Sequence, residues 1–207
     1  MSVVHLIDTL TEWAKVNICD HVLLKVPPDN EAPDGEGYEY ELAHPAVFPM
    51  YVPTEEKLPP GIHSPFPSIC VRFGAGADDA AASQGSIKVE FCFSAWDPGT
   101  HGRDQLEPVG GAGFRRKWTG EEATAYFKRN ADGWRDVWNF VDVALRALES
   151  TVIIGGHYTI DRTKPIEFGP LKEQEAIADF YPFWFAWVSF TVNYDLRRHI
   201  AEIQKYL

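Results

Sequence analysis

Hydrophobic residues recur along this chain with two different periods, and the switches between them outline a fold. Val3, Leu6, Ile7, Leu10, Trp13 and Ala14 fall at helical spacing, which predicts an amphipathic helix to about Val16 with Ser2 as its N-cap. "HVLLKV", His21 to Val26, reads as a short buried strand. Pro27 and Pro28 end it, because neither can donate to a β-ladder. From Asp29 to Pro67 the chain is rich in Pro, Gly and acidic residues, and "HPAVFPMYVP" suggests an extended edge segment at most.

A strand at about Ser68 to Phe73 follows, closed by glycines, with "DDAAASQG" as a small-residue connector. "SIKVEFCFSAW" then alternates cleanly: Ile87, Val89, Phe91, Phe93 and Ala95 share one face, and Lys88, Glu90, Cys92, Ser94 and Trp96 the other. After a loop of roughly 25 residues, a length that is usually functional or disordered, comes the clearest helix. Trp134, Val137, Trp138, Val141, Ala144, Leu145 and Leu148 repeat the i, i+3, i+4 stripe, with Arg135, Asp136, Asp142 and Arg146 on the outer face. Asn130 or Asp132 is placed to cap it. "VIIGGHYTID" reads as a strand and "PIEFGPL" as a short extended piece.

In "FYPFWFAWVSFTV" the period returns to two. Trp184, Ala186, Val188, Phe190 and Val192 share one face; Phe183, Phe185, Trp187, Ser189 and Thr191 share the other. A strand apolar on both sides sits inside a sheet and is covered there. "DLRRHIAEIQKYL" predicts a closing amphipathic helix through Leu196, Ile200 and Ile203. The sum is a single α+β domain over 1–207, with loop insertions at about 29–64 and 97–120. Its sheet is expected to be mostly antiparallel, packed with a long amphipathic helix and with helices at both termini.

The aromatic strand is not a membrane span, because Asp179 and Asp195 bracket only about 15 residues where roughly 20 are needed. Asp8, Glu12 and Lys15 likewise interrupt any signal-like apolar run at the start. The 207 residues, 45% hydrophobic and 24% charged, suit one globular domain that needs neither metal nor disulfide to fold. A net charge of -11 argues against general nucleic-acid binding, which needs clustered cations. Cys19, Cys70 and Cys92 are widely spaced and outside any CxxC pattern, so free thiols in a reducing compartment are expected.

Catalytic chemistry finds little support. The seven histidines form no HxH or HExxH pattern, and His157 with Asp161 lacks converging geometry on a strand. "FGAGADD" is a lone GxG without a Lys-Ser/Thr pair, and Asp78-Asp79 and Glu121-Glu122 read as solvated neighbours. No enzyme, metal or cofactor is expected. Two features point to contact surfaces instead. "FRRKW", Phe114, Arg115, Arg116, Lys117 and Trp118, is the one basic cluster and is flanked by aromatics. The face bearing Phe183, Phe185 and Trp187 is too apolar to stand in water, and must meet the first helix, the long loop or another subunit.

Over residues 65 to 195 the chain resembles the tail terminator (tail completion, or head-tail joining) proteins of long-tailed bacteriophages. The residues that carry this are "PFPSICVRF", "IKVEFCFSAWDPG", "GWRDVWNFVDVALRALES" and "PIEFGPLKEQEAIADFYPFWFAWVSFTV". Residues 3 to 24 match the family's first helix and strand in order. The acidic segment 29–60 and the "HGRDQLEPVGGAGFRRKW" insertion are longer than the family pattern, which leaves a related tail or neck protein open. The resemblance implies a non-enzymatic virion protein with an α+β sandwich fold, made in the host cytoplasm and ending in the tail or neck. About six copies would form a ring that caps the tail tube protein and offers a docking face to the head-tail connector. Net acidity would keep passing DNA from sticking to the ring lumen. The competing expectation is a small-molecule or peptide-binding domain whose aromatic face lines a pocket.

Overall fold

A computed structural model describes residues 3–28, 41–97, 106–109, 113–116, 133–173, 176–178 and 180–196. At its centre two thirteen-residue strands, β5 (Gln84–Trp96) and β13 (Phe183–Asp195), pair antiparallel along their whole length. Around them lie β3 (Ala46–Pro49), β4 (Ser68–Asp79), β8 (Ile153–Ile154), β9 (Tyr158–Ile160) and β10 (Glu167–Pro170). The sheet order is β3-β4-β5-β13-β9-β8, and β10 also pairs with β13. β1 (Leu24–Lys25) pairs with β2 (Leu42–Ala43), β6 (Leu106–Val109) with β7 (Gly113–Arg116), and β11 (Lys172–Glu173) with β12 (Ala176–Ile177), each as a separate two-stranded ribbon.

Two α-helices, α1 (Val3–Asn17) and α2 (Trp134–Ser150), pack on one face of this sheet. The register explains the core. Ile87, Val89, Phe91, Phe93 and Ala95 of β5 stand opposite Val192, Phe190, Val188, Ala186 and Trp184 of β13. All but the half-buried Trp184 are buried. Leu6, Ile7, Leu10 and Ala14 of α1 and Val137, Phe140, Val141, Ala144 and Leu148 of α2 meet them. Phe93 makes an edge contact with Phe140 at 5.0 Å and Phe91 with Phe190 at 5.1 Å. Each such buried side chain contributes about 1.5–3 kcal/mol.

The expected architecture requires correction. The described chain is a strand-rich mixed α/β structure with a curled sheet and two α-helices, not an α+β sandwich carrying a long helix between terminal helices. The closing helix predicted beyond Leu196 lies outside the described residues, as do the N-caps predicted at Ser2, Asn130 and Asp132. Short strands make the difference, because a segment of two to four residues has no readable period. "VIIGGHYTID" is not one strand but β8 and β9 about a turn, where Gly155 and Gly156 adopt positive φ of 58° and 74°. The segment expected as the first insertion supplies β2 and β3, and β3 lies parallel to β4. The connector after β4 shrinks to residues 80–83, since the strands run on to Asp79 and from Gln84.

The burial stripe of α2 also differs from the predicted one: Phe140 is fully buried, whereas Trp134 is exposed. At its other end α2 has no basic residue in the last turn. Arg162, from the loop after β9, supplies the charge. One guanidinium nitrogen donates to the carbonyls of Leu148 at 2.6 Å, Glu149 at 3.1 Å and Thr151 at 2.5 Å, satisfying acceptors a helix end leaves open. Arg162→Ala is therefore expected to lower stability by roughly 1–2 kcal/mol in urea denaturation. An unchanged midpoint would show that water replaces the clamp without loss.

Candidate functional site

The opposite face of the sheet, called the outer face below, is built from the other parity of the same strands. Phe183, Phe185, Trp187 and Ser189 stand opposite Trp96, Ser94, Cys92 and Glu90. Ser68, Cys70 and Arg72 of β4 continue the rows beyond Ser94, Cys92 and Glu90. No helix lies here. The chain itself covers part of the face instead: Phe66 packs on Phe183 at 4.9 Å and Phe185 at 6.0 Å, and Phe180 meets Phe185 edge-on at 5.7 Å. The Trp187 indole N–H donates to the Pro170 carbonyl at 3.1 Å and its ring lies against Gly169. Phe183, Phe185 and Trp187 are consequently half-buried, against segments that sequence reasoning did not foresee.

Between these covers a cleft of about 630 Å³ remains, walled by Phe66, Phe185, Trp187, Pro170 and Leu171. Its floor is polar: Cys70, Arg72, Glu90, Cys92 and Ser94 reach it from β4 and β5. Ser68 and Ser94 exchange a buried hydroxyl hydrogen bond of 2.8 Å. The Cys92 thiol donates to Glu90 Oε1 at 3.3 Å. Burial, reinforced by the Glu90 carboxylate, pushes the Cys92 thiol up to about 12. Burial also raises Cys70, against the opposing pull of Arg72. Both therefore stay protonated at neutral pH, the opposite of activated nucleophiles.

The rim is apolar and exposed. Phe168 is 54% exposed, Leu171 41%, Ile177 69%, Phe180 47% and Tyr181 50%, an unusual density of large apolar side chains for one short segment. Phe168 lies in β10 itself, and the arm between β10 and β13 carries the other four.

The "FRRKW" cluster is placed elsewhere. Phe114, Arg115 and Arg116 lie on β7, in register with Pro108, Glu107 and Leu106 of β6. Among the described residues this ribbon is a two-stranded sheet of its own, outside the main sheet. Lys117 and Trp118 lie outside the described residues.

A buried charge cluster pins the base of the segment that bears this ribbon. Asp97 follows β5 directly; Lys25 of β1 pairs with its Oδ2 at 2.5 Å, with side chains 22% and 7% exposed. The Asp97 amide donates to the Pro182 carbonyl at 3.1 Å, and its own carbonyl accepts the Trp184 indole N–H at 2.8 Å. Gly133, at the start of α2, lies so close to that carbonyl that any Cβ would clash. Asp136, in the first turn, sits beside Asp97. Burial and the Asp97 charge push its carboxyl up to about 6, although Lys25 pulls it down. Among the described residues no group of three or more His, Cys, Asp or Glu side chains is arranged to hold a metal ion, and no helix is long and apolar enough to cross a membrane.

No protein-family model matches the chain, and no curated protein matches it in sequence.

Asp136 yields a pH signature. The folded chain holds this proton more tightly than the unfolded chain, so its contribution to stability is complete below about pH 4 and is lost as the pH rises through 6. Asp136→Asn keeps the donor towards Asp97 and cannot ionise. The stability difference between variant and wild type should grow in the variant's favour from pH 4 to pH 7, reaching about 1 kcal/mol after allowance for solvent screening. Denaturation midpoints that differ by a constant across this range would contradict the assignment.

Proposed function

We propose that this chain is a structural assembly protein whose outer sheet face and neighbouring arm dock a protein partner, most simply another copy of itself. The observation that carries this reading is the exposed apolar rim of Phe168, Leu171, Ile177, Phe180 and Tyr181 beside a half-covered aromatic face. Exposed aromatic and aliphatic groups of this type are what protein interfaces bury. Heterologous contacts between such faces close into rings when the rotation permits.

The resemblance to phage tail terminators gives this assembly its role: a ring of about six copies that ends the tail tube and meets the head-tail connector. Its support is the order of β4, β5, α2 and β13 over residues 65–195, together with the acidic balance of the chain. The ribbon carrying Arg115 and Arg116 would then contact tube or connector proteins, from a base held by the Lys25–Asp97 pair. The second reading, a ligand-binding domain, is favoured by one specific feature, the 630 Å³ cleft with aromatic walls and a polar floor.

Light scattering with negative-stain imaging separates the two. The assembly reading expects wild-type particles of several subunits at high concentration. Phe168→Asp with Phe180→Asp should leave the circular dichroism unchanged and weaken association by roughly tenfold or more. A wild type that stays monomeric alone and with purified tail tube protein, and whose tryptophan fluorescence responds to small aromatic ligands while that of Trp187→Phe does not, would displace it.

A further inference from the structure

Cys70 and Cys92 are direct partners in the β4–β5 ladder and both reach the cleft floor. The neighbouring hydrogen bonds reveal what kind of pair they form. The carbonyls of Pro67 and Val71 accept from Ala46 and Met50 on the β3 side, so odd-numbered backbone groups here turn towards β3. Cys70, being even, turns its own groups towards β5 and Cys92. Such a hydrogen-bonded antiparallel pair has Cα atoms about 5.5 Å apart, with β-carbons at the wide end of roughly 4.5–5.5 Å. The Cα spacing is within disulfide range, but a disulfide takes about 3.5–4.5 Å between β-carbons, so closing one here would draw the two β-carbons together. Two thiolates that hold a single soft ion between them need no such closure.

We propose that Cys70 and Cys92 form a two-coordinate site for a soft monovalent cation of the Cu(I) class, opening into the outer-face cleft. Thiolate ligands select such ions over the harder divalent metals. Two thiols and one cation give a bis-thiolate complex of net charge -1 and release two protons. Arg72, which hydrogen-bonds Cys70, offsets that charge. Glu90, the acceptor of the Cys92 thiol proton, opposes it. Lys172 also lines the cleft. Because the ligands are thiolates and binding displaces their protons, binding strengthens with pH.

The test is competition for Cu(I), supplied with ascorbate under argon, between the full-length protein and a chromogenic Cu(I) chelator. Wild type is expected to retain one equivalent, with affinity rising close to 100-fold per pH unit between pH 6 and 8, as two-proton release requires. Cys70→Ser and Cys92→Ser should each weaken retention by roughly tenfold or more, whereas Cys19→Ser, buried in the helix-side core, should not. Failure of wild type to retain Cu(I), a pH slope of one proton or none, or retention undiminished in either single variant would each overturn the proposal. These outcomes are independent of whether the chain assembles.

Discussion

The full-length pairing of β5 with β13 is the constraint from which the rest of the molecule follows. Thirteen opposed residue pairs leave no freedom of register, because a slip by one would turn every apolar side chain to the wrong face. Val89, Phe91 and Phe93 must meet the helices, and Glu90, Cys92 and Ser94 must face the other way. The helix face then closes in the ordinary manner, with Phe140 and Leu10 filling the space between α1, α2 and the sheet. Among the described residues the outer face receives no α-helix and is covered by short segments of chain. Its apolar residues are too many for those segments to hide.

A second constraint acts at the end of that pair. Trp184, Pro182, Lys25 and Gly133 all converge on Asp97, at the point where β5 ends. The contact joins β1, β13 and α2 to one residue. It also brings the two ends of the intervening segment, residues 98–132, to a common base. A buried ion pair of this kind adds little net stability against an apolar alternative, because both charges lose their hydration. Its effect is positional: it sets where the segment bearing Arg115 and Arg116 leaves the body.

The long elements were legible in the sequence for a simple reason. Fifteen residues of α1 and thirteen of β13 offer enough repeats for a period to stand out. The two faces of β13 and β5 were likewise readable, residue by residue, from alternation alone. The short pieces were not. β3 pairs in parallel through a crossover that no local pattern announces, and β8 and β9 hide in one apolar run broken by two glycines. At the candidate site, Phe185 and Trp187 were evident from their excess of apolar surface. Phe66 and Phe180, which cover them, come from proline-rich stretches whose position in space depends on tertiary contacts. The cleft floor had a partial signal, since Cys92, Glu90 and Ser94 share the polar parity of β5. What the sequence lacked was the β4 register that sets Cys70 and Arg72 beside them.

An outer face dressed by thin segments, with its largest apolar groups on the rim, is the basis of the proposal that another protein completes it. The most direct measurement of that claim is amide hydrogen exchange on the protein at high concentration, where the proposal has it associate, and at high dilution. Slower exchange on association is expected in residues 167–173 and 176–178, while the exposed turn at 80–83 stays unchanged. Equal exchange of the arm in both states, or protection confined to the exposed sides of α1 and α2, would contradict the account.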